Sequence, residues 1–342
     1  MIQQKMIGDV LMSTVICQAI KTTWPDCTVH YMVYPNTAAV VEGHPDIDKI
    51  VLFDPAIKGF LNLARFGKSL AGEQYDAVVD AYGKWESILP MYFSGAKIRI
   101  GFYKWYTQFF YTKTVKPKAD VHGSALHHRL QLAEALTGKF VAVEFPEIYL
   151  SPAERQQAKE QMQVLPKKPV IMVSVLGSAP NKSLPPQHMA QMLDDVAQQG
   201  KVTLLFNFIP SQAADAQKIY DLCKPETQRS IVLDFYMKGL RPFLAVLSHC
   251  DALIGNEGGA VNMAKALGIP TFTVYSPWIA TASWNIMGND QSHVAVHLMD
   301  YEPHWYQGHP KKLRQQAMEL YQRLNPSLFR DKLQTFVNRI IS

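Results

Sequence analysis

Short runs of β-branched and apolar residues alternate along this chain with longer segments in which apolar residues recur every three or four positions. This alternation is typical of βαβ units and a mainly parallel sheet. In the first half the pattern predicts strands over 28–33, 49–53, 76–80 and 97–101, and helices over 10–23, 58–71 and 122–137. In the second half it predicts strands over 170–176, 202–206, 230–234, 251–255 and 271–275, and helices over 186–199, 211–223, 240–249 and 259–267.

The length of 342 residues suits two α/β domains of roughly 150 residues each. Four prolines surround a polar helical pattern in 146–169, which indicates the join between the domains. We therefore predict an N-terminal domain over 1–164, a C-terminal domain over 165–310 and a helical tail over 311–342. In proteins with two Rossmann-like domains, such a tail often packs back on the N-terminal domain.

Composition narrows the class of protein. Hydrophobic residues make up 48% and charged residues 18% of the chain, which predicts a globular protein. No apolar run approaches the roughly 18 residues that span a bilayer, and the first ten residues lack the apolar core of a signal peptide, so we expect a cytoplasmic protein. The four cysteines are scattered without a C-x-x-C pair, which predicts buried thiols rather than disulfides or a zinc site.

The net charge of +5 is too small to indicate a nucleic-acid partner, but the basic residues are concentrated in one region. Between 97 and 129 they interleave with the aromatic stretch FYKWYTQFFY, and acidic residues are almost absent. The basic and histidine side chains there are Lys97, Arg99, Lys104, Lys113, Lys116, Lys118, His122, His127, His128 and Arg129. Two interpretations stay open: a surface that meets an anionic, partly lipidic acceptor at a membrane, or a solvated basic face over a local aromatic core.

Open parallel sheets bind ligands at the carboxyl ends of their strands, so the loops that follow strands carry the candidate chemistry. The first such segment is KMIGDVLMS, in which Gly8 permits a tight turn and Asp9 starts a helix. By spacing alone, capping of the helix is the commoner role for Asp9, and a position facing a ligand is the alternative.

Two loops in the second half have the composition of phosphate sites. In SVLGSAPNKSLPP, Ser178 and Lys182 lie just before a helix, where hydroxyls, free N–H groups and a lysine suit an anion. An ordinary loop with a surface lysine is the alternative. In IGNEGG, the glycines let backbone approach a ligand, and the carboxylate of Glu257 would repel phosphate and contact sugar hydroxyls instead. A tight turn capped by Asn256 is the alternative there.

Three ordered blocks together resemble glycosyltransferase family 9, the ADP-heptose:lipopolysaccharide heptosyltransferases, over nearly the whole chain. The first block is IGDVLMSTVICQAIKTTWPDCTVHYMV with HPDIDKIVLFD, the second is GSAPNKSLPPQHMAQML and the third is IGNEGGAVNMAKALGIPTFTVYSP. The resemblance implies a GT-B architecture, with two facing Rossmann-like domains and a cleft between them. It also implies inverting, metal-independent transfer of heptose from ADP-heptose to the inner core of lipopolysaccharide or lipooligosaccharide.

Carried over by position, the resemblance makes Asp9 the general base, Lys182 the pyrophosphate ligand and Glu257–Gly259 the donor turn. Adenosine contacts would come from Gln212 and the loop 237–240. The donor-binding candidates are Gly8, Ser178, Lys182, Gln212, Lys238, Asn256, Glu257, Gly258 and Gly259. The acceptor-binding candidates are Lys58, Arg65, Lys97, Arg99, Lys104 and His127. No cofactor is expected beyond the nucleotide-sugar, and the glycolipid acceptor implies peripheral contact with the cytoplasmic face of the inner membrane.

The sequence departs from the family pattern in the donor block. Glu257 stands where the family usually has Asp, Gly258 where it has Ser or Thr, Asn262 where it has His, and Leu184 where it often has Trp. These departures keep two alternatives open: a relative that uses another nucleotide-sugar, and an inactive GT-B binding module. A dehydrogenase is excluded because no G-x-G-x-x-G run follows the first strand. The chain also opens only a few residues before Gly8, which is consistent with a misplaced start codon.

No metal site is predicted. The tripeptide Asp46-Ile47-Asp48 imitates the Asp-x-Asp metal motif of other glycosyltransferases, but it immediately precedes the strand 49–53 within the family's opening block. The pairs His293 with His297 and His127 with His128 lack a third ligand at a suitable spacing.

Overall fold

The structure, a computed structural model, describes residues 1–117, 125–143, 145–166, 169–235, 237–279, 281, 285, 291–306 and 310–342. The chain divides into two compact units, and the division falls within the proline-rich segment 146–169. The first unit contains Met1–Tyr149, and the second contains Leu150–Thr281 and Met287–Ser342. The polar helix of the join, Pro152–Gln161, therefore belongs to the second unit.

The first unit contains parallel strands with helices between them, as the hydrophobic pattern predicts. Its strands are β1 (His30–Val33), β2 (Lys49–Leu52), β3 (Ala77–Asp80), β4 (Ile98–Phe102) and β5 (Lys113–Val115). Its α-helices are α1 (Ile7–Met12), α2 (Thr14–Thr23), α3 (Phe60–Ser69), α4 (Trp85–Phe93) and α5 (Ala125–Thr137). Its 3₁₀ helices are Pro35–Val40, Leu70–Glu73 and Gln108–Phe110.

The segment Met1–Gln4 joins two strand ladders into one sheet. β1 pairs with β2, and β3 pairs with β4, which pairs with β5, all in parallel. Ile2 forms parallel bridges to both Met32 of β1 and Asp80 of β3. Its N–H donates to the carbonyl of Val79 at 2.8 Å. The first segment of the chain therefore occupies the position of a central strand.

Helices α3 and α4 pack against each other through a glycine. A Cβ atom on Gly67 would lie 2.7 Å from the carbonyl oxygen of Pro90, closer than real Cβ atoms come to backbone oxygen. Side chains of both helices, including Leu63 and Ile88, enter the core with Phe53 and Met32. The sequence pattern predicts α3 but not α4, because α4 contains Pro90 and its apolar residues are nearly continuous.

The second unit is built on six parallel strands within the described chain. They are β6 (Val170–Ser174), β7 (Thr203–Asn207), β8 (Ile231–Val232), β9 (Ala252–Asn256), β10 (Thr271–Val274) and β11 (His293–Val296), in the order β11–β10–β9–β6–β7–β8. The α-helices are α6 (Pro152–Gln161), α7 (Pro186–Ala197), α8 (Ala213–Leu222), α9 (Pro225–Gln228), α10 (Leu240–Leu247), α11 (Gly259–Ala266), α12 (Pro310–Gln315), α13 (Ala317–Arg323) and α14 (Arg330–Ile341). The 3₁₀ helices are Met162–Val164, Pro180–Lys182, Pro210–Gln212, Leu298–Asp300, Pro303–Tyr306 and Pro326–Leu328.

This strand order places a switch point beside β6. The chain proceeds from β6 to β7 on one side, and β9 then pairs with β6 on the other side. Loops that follow β6 and β9 therefore diverge, and such a divergence is where doubly wound sheets bind ligands. Both predicted α/β halves are confirmed, and β8, with two residues, is shorter than the predicted strand 230–234. No helix in the described parts of the chain has the length and apolarity to span a bilayer.

The C-terminal tail buries its apolar side chains in the core of the second unit. Leu320, Tyr321, Phe329, Leu333 and Phe336 belong to the same buried cluster as the strands β6 to β11. The ring of Phe336 lies 5.7 Å from that of Phe272 on β10. The tail helices are therefore part of this core and not a surface appendage.

We expect Phe336→Ala to lower the free energy of unfolding of the second unit by about 3–5 kcal/mol, because the substitution leaves a cavity in a fully buried cluster. Guanidinium unfolding followed by circular dichroism measures the change. Met318→Ala, at a half-exposed position of α13, is the matched control and should change stability by less than about 0.5 kcal/mol. Equal stability of the two variants would contradict the packing of the tail.

Candidate active site

Asp9 is held in an ion pair rather than at a helix cap. Met6 occupies the N-cap position of α1 and makes no side-chain cap, so the capping role considered for Asp9 is wrong. Its Oδ1 accepts a hydrogen bond from Nη2 of Arg129 at 2.6 Å. The same guanidinium donates to Oγ of Ser13 and to the carbonyl of Ala125, both at 2.7 Å. Three fixed contacts on Arg129 therefore orient the Asp9 carboxylate.

Asp9 remains accessible while its partner is buried. The Asp9 side chain is 32% exposed and that of Arg129 is 11% exposed. Within the described residues, Oδ2 of Asp9 makes no ion pair or hydrogen bond that competes with a ligand. Gly8, a predicted donor-binding residue, is buried in α1 beside it.

Asp9 lies at the carboxyl edge of the first sheet, because α1 directly follows the strand position of Met1–Gln4. The loop 81–84 after β3 lies at the same edge, and Asp9 contributes to raising the pKa of Tyr82, though less than burial does. Nζ of Lys104, after β4, donates to the carbonyl of Gly83 at 2.6 Å. Burial, followed by the charge of Lys84, lowers the pKa of Lys104. The Asp9 carboxylate thus shares this edge with the cations of Lys84 and Lys104.

The loop 81–84 is anchored by a buried carboxylate that sequence patterns did not single out. Asp80 ends β3 and accepts hydrogen bonds from the N–H groups of Tyr82 and Gly83 and from the hydroxyls of Ser87 and Tyr111. Burial raises the pKa of Asp80, and these donors oppose the rise. Asp80 is fully enclosed, so its role is to position the loop.

The predicted acceptor residues do not all lie together. Lys58 follows β2 at the edge of Asp9 and is exposed, as is Arg65, which donates to Asn62 on α3. Lys104 is at this edge, and His127 lies in the first turn of α5, its ring 5.9 Å from that of Phe140.

Lys97 and Arg99 lie at the other end of their strand. Lys97 precedes β4, and the guanidinium of Arg99 donates to the carbonyls of Ala96 and Phe110. These two residues are therefore remote from the carboxyl end of β4. Lys118 and His122 of the predicted basic region lie outside the described residues.

In the second unit, Asn256 connects the loop after β6 to the end of β9. Its Oδ1 accepts from the N–H of Leu184 at 2.7 Å, and its Nδ2 donates to the carbonyls of Ser174 and Val175. The N-cap position of α11 is Gly258, so a capping role for Asn256 is wrong. The amide is completely buried, and it holds the loop that carries Lys182.

Gln212 fastens the other side of the same loop. Its Nε2 donates to the carbonyl of Gly177 at 2.9 Å, and its Oε1 accepts from the N–H of Ile209. A Cβ on Gly177 would overlap the carbonyl of Lys182, so only glycine permits this close approach. Of the other predicted donor residues, Ser178 and Lys238 are exposed.

Lys182, Glu257 and Trp278 form the centre of the candidate donor site. Nζ of Lys182 lies 3.6 Å from Oε1 of Glu257 and 5.6 Å from the ring centroid of Trp278. The indole N–H of Trp278 donates to the carbonyl of Asn181 at 3.0 Å, and the guanidinium of Arg314 lies 5.2 Å from the indole ring. Sequence reasoning missed Trp278 and Arg314, which lie about 95 and 130 residues beyond Lys182.

Glu257 is a mostly buried carboxylate beside that lysine. Its side chain is 12% exposed, and Oε1 has no hydrogen-bond donor among the described residues. Burial raises the pKa of Glu257, and the charge of Lys182 opposes the rise. The pair is thus held by charge at a distance longer than a hydrogen bond.

Of the two helices near the switch point, α7 and α11, the N-terminus of α11 is better suited to bind an anion. Gly258 and Gly259 begin α11 with backbone N–H groups that point out of the first turn. In α7 the N-cap and first positions are Pro185 and Pro186, which have no N–H groups. The sequence predicts that the N-terminus of α7 helps to bind an anion. Because these two N–H groups are missing, α7 contributes less to anion binding than predicted.

In the tripeptide Asp46-Ile47-Asp48, which resembles an Asp-x-Asp metal motif, the Asp48 carboxylate has structural partners. Asp48 accepts from the N–H of Val29 at 2.6 Å and forms an ion pair with Lys21, and these two contacts lower its pKa. Among the residues that the structure describes, no group of three His, Cys, Asp or Glu side chains is placed to hold a metal ion.

Comparison with known proteins agrees with this geometry. The model of glycosyltransferase family 9 (heptosyltransferase) matches residues 63–301. The lipopolysaccharide heptosyltransferase 1 of Campylobacter coli is 22% identical over 284 residues, which cover 79% of this chain and 81% of that protein.

Two solved structures share the fold. One is a family 9 glycosyl transferase from Veillonella parvula DSM 2008, with a TM-score of 0.74 and 17% identity, covering 94% of this chain and 96% of that chain. The other is the ADP-heptose lps heptosyltransferase II of E. coli, with a TM-score of 0.74 and 15% identity, covering 94% and 98%. The family match spans more than half of the residues, and the chain therefore belongs to glycosyltransferase family 9, the heptosyltransferases, and is a glycosyltransferase with a GT-B fold of two Rossmann-like units.

Proposed function

We propose that this chain transfers a heptose from ADP-heptose to the inner core of lipopolysaccharide or lipooligosaccharide, with inversion and without a metal ion. The observation that carries the proposal is the position of Lys182 beside Glu257 and the first turn of α11. A nucleotide-diphosphate donor has its negative charge at the bond that breaks, and this arrangement provides cationic and dipolar groups for it. The E. coli relative is itself named as an enzyme of ADP-heptose and lipopolysaccharide.

On the donor side, the leaving ADP gains charge as the glycosyl bond breaks. Lys182 and the N–H groups of Gly258 and Gly259 are positioned to bind that charge, and they stabilise the transition state more than the bound donor. The Arg314 guanidinium, 5.2 Å from the Trp278 ring centroid, adds a second cation. No metal is needed in this scheme, because the protein cations neutralise the leaving group.

The remaining donor contacts follow from the family resemblance. Adenosine would meet Gln212 and the loop 237–240, including Lys238. Gln212 already donates to the carbonyl of Gly177, so its part is to fix the loop against which the nucleotide lies. Glu257 would bind sugar hydroxyls through its carboxylate.

On the acceptor side, Asp9 is the proposed general base. Arg129 binds Oδ1, and Oδ2 takes the proton from the acceptor hydroxyl as that oxygen attacks the anomeric carbon. Arg129 acts as a positioning residue. The family match begins at residue 63, so the assignment of Asp9 rests on the opening sequence block and on this geometry.

The acceptor would be a lipid A–core glycolipid, approached from the cytoplasmic face of the inner membrane. The basic residues Lys58, Lys84 and Lys104 near Asp9 would bind its anionic groups. The departures at Glu257, Gly258 and Asn262 favour one second candidate, a relative that transfers another sugar by the same mechanism.

A panel of donors tests the proposal. Purified protein is titrated with ADP-heptose, UDP-glucose, GDP-mannose and TDP-rhamnose by calorimetry, and release of nucleotide diphosphate is measured with a deep-rough acceptor. We expect selective binding of ADP-heptose and release of ADP. Preference for another donor would reassign the substrate, and binding of none would leave the inactive module as the function.

We expect Asp9→Asn to lower kcat by about 10²–10⁴-fold, because the amide cannot accept the proton. The Kd for ADP should change by less than about twofold, since Asp9 contacts no donor phosphate in this scheme. Asp26→Asn, an exposed carboxylate in the same unit, is the control and should retain full turnover. Near-normal turnover of Asp9→Asn would overturn the assignment of the base.

The Glu257 carboxylate should make ADP binding depend on pH. Its raised pKa means that it loses its charge as pH falls through a range above its ordinary value of 4.5. Loss of that charge removes repulsion of the diphosphate and releases Lys182, so affinity for ADP, taken relative to that of Glu257→Gln, should rise by at least about threefold between about pH 8 and about pH 5.

Measurement of Glu257→Gln in parallel isolates the contribution of Glu257. Titration of ADP itself and of histidines affects the variant and the unsubstituted chain equally. The variant should bind ADP more tightly near neutral pH and should lack the Glu257 part of the pH dependence. Identical pH profiles of the two proteins would contradict the role of the Lys182–Glu257 pair.

A further inference from the structure

Several aromatic side chains of the first unit are exposed to solvent. Trp105 is 74% exposed and Phe109 is 81% exposed, while Phe60, Trp85 and Tyr92 are about half exposed. We call these five residues the aromatic surface. Large exposed apolar areas on a soluble protein mark sites of interaction.

Ring contacts make most of this surface continuous. The Phe60 ring lies 5.8 Å from Phe93, and Tyr92 contacts both Phe93 and Phe110 at 5.4 Å. Trp85 lies 5.7 Å from Phe110. Residues from α3, α4 and the 3₁₀ helix Gln108–Phe110 thus form one area.

The two most exposed residues extend the same area. Phe109 neighbours Phe110 in the 3₁₀ helix, and Gln108 donates to the carbonyl of Trp105 at 3.2 Å. The segment 105–110 therefore exposes Trp105, Tyr106 and Phe109 from a short, hydrogen-bonded turn, while Phe110 packs against the core. The aromatic stretch therefore contributes exposed rings as well as part of the local core.

Positive charges are concentrated in the stretch of sequence that carries most of the aromatic surface. Lys84 precedes Trp85, Lys104 precedes Trp105, and the guanidinium of Arg99 lies 5.5 Å from the ring centroid of Tyr92. Between 84 and 117 there are six lysines and arginines, and Glu86 is the one acidic residue. A face with this composition attracts an anionic partner.

The aromatic surface begins at the edge that carries Asp9. Trp85 follows the loop 81–84 directly, and Lys104 binds the carbonyl of Gly83 within that loop. A bilayer against the aromatic surface would therefore bring lipid-linked sugars toward Asp9.

We propose that the aromatic surface docks on an anionic lipid bilayer, with Trp85, Trp105 and Phe109 at the level of the headgroups. Tryptophan and tyrosine are enriched at this depth, and lysine and arginine gain from the negative potential of anionic lipids. Docking itself is independent of catalysis, and only its purpose, presentation of a glycolipid acceptor, rests on the proposed function.

Vesicle flotation tests docking without substrate. The full chain is mixed with vesicles of phosphatidylcholine alone or with about 30% phosphatidylglycerol, both free of glycolipid. We expect binding to the anionic vesicles that weakens at about 0.5 M salt, and about tenfold weaker partition for Trp105→Ala/Phe109→Ala. The matched control is Trp24→Ala, because Trp24 is 44% exposed and ends α2 at the opposite edge of the sheet.

Unchanged partition of the double variant, or equal binding to neutral and anionic vesicles, would overturn the proposal. Sedimentation without lipid tests whether a second copy of this chain binds the aromatic surface instead. Concentration-dependent self-association that is lost in the double variant would assign the surface to that second copy.

Turnover separates docking from the proposed function. With a deacylated, water-soluble acceptor the double variant should match the unsubstituted chain, and with acceptor in anionic vesicles its apparent KM should rise. A chain that binds vesicles but transfers no sugar would refute the function and leave the docking surface intact.

Discussion

Parallel pairing of the strands is the constraint on which both candidate sites, one in each unit, depend. Every strand of a parallel sheet ends at the same edge, so residues far apart in sequence meet in the loops at that edge. In the first unit the arrangement depends on Met1–Gln4, because Ile2 is bridged to both β1 and β3. Without this segment, the pair β1–β2 and the ladder β3–β4–β5 would share no backbone hydrogen bonds. The position of Asp9 follows directly, since α1 begins three residues after the bridging segment ends.

Much of this framework was predictable because local patterns determine it. Parallel strands such as β6 and β9 are buried on both faces and, apart from Asn256 at the end of β9, contain only apolar and small residues, so they differ clearly from the amphipathic helices around them. The loops with Asp9, Lys182 and Glu257 could be selected for the same reason, as polar or glycine-rich residues directly before or after these elements. The predictions fail where local pattern is weak. Pro90 conceals α4, and β5 has three residues.

What the sequence could not predict are the partners that hold those residues in place. Arg129 lies 120 residues from Asp9, and Asn256 lies 72 residues from the backbone N–H that it binds. Each contact depends on how elements pack, and neither residue has a distinctive neighbour in sequence. Asn256 illustrates the difficulty: its place before a glycine pair is typical of a helix cap, yet its buried amide is used to connect two loops. Local patterns and the likeness to a known family identified the loops, whereas the roles of these supporting residues required the structure.

The contact between Lys182 and Glu257 has the properties of a pair that a ligand can replace. A pair at 3.6 Å, without a hydrogen bond to Oε1, gains less from attraction than a close bidentate pair, and the mostly buried carboxylate still carries the cost of removal from water. A diphosphate would give Lys182 a stronger partner and would leave Glu257 in need of donors. Sugar hydroxyls are such donors, so binding of a complete nucleotide-sugar would satisfy both groups, whereas ADP alone would satisfy one. Under the proposed function, the pair would therefore favour donors whose sugar reaches Glu257, and the Glu side chain, longer than the Asp usual in the family, would reach other hydroxyls.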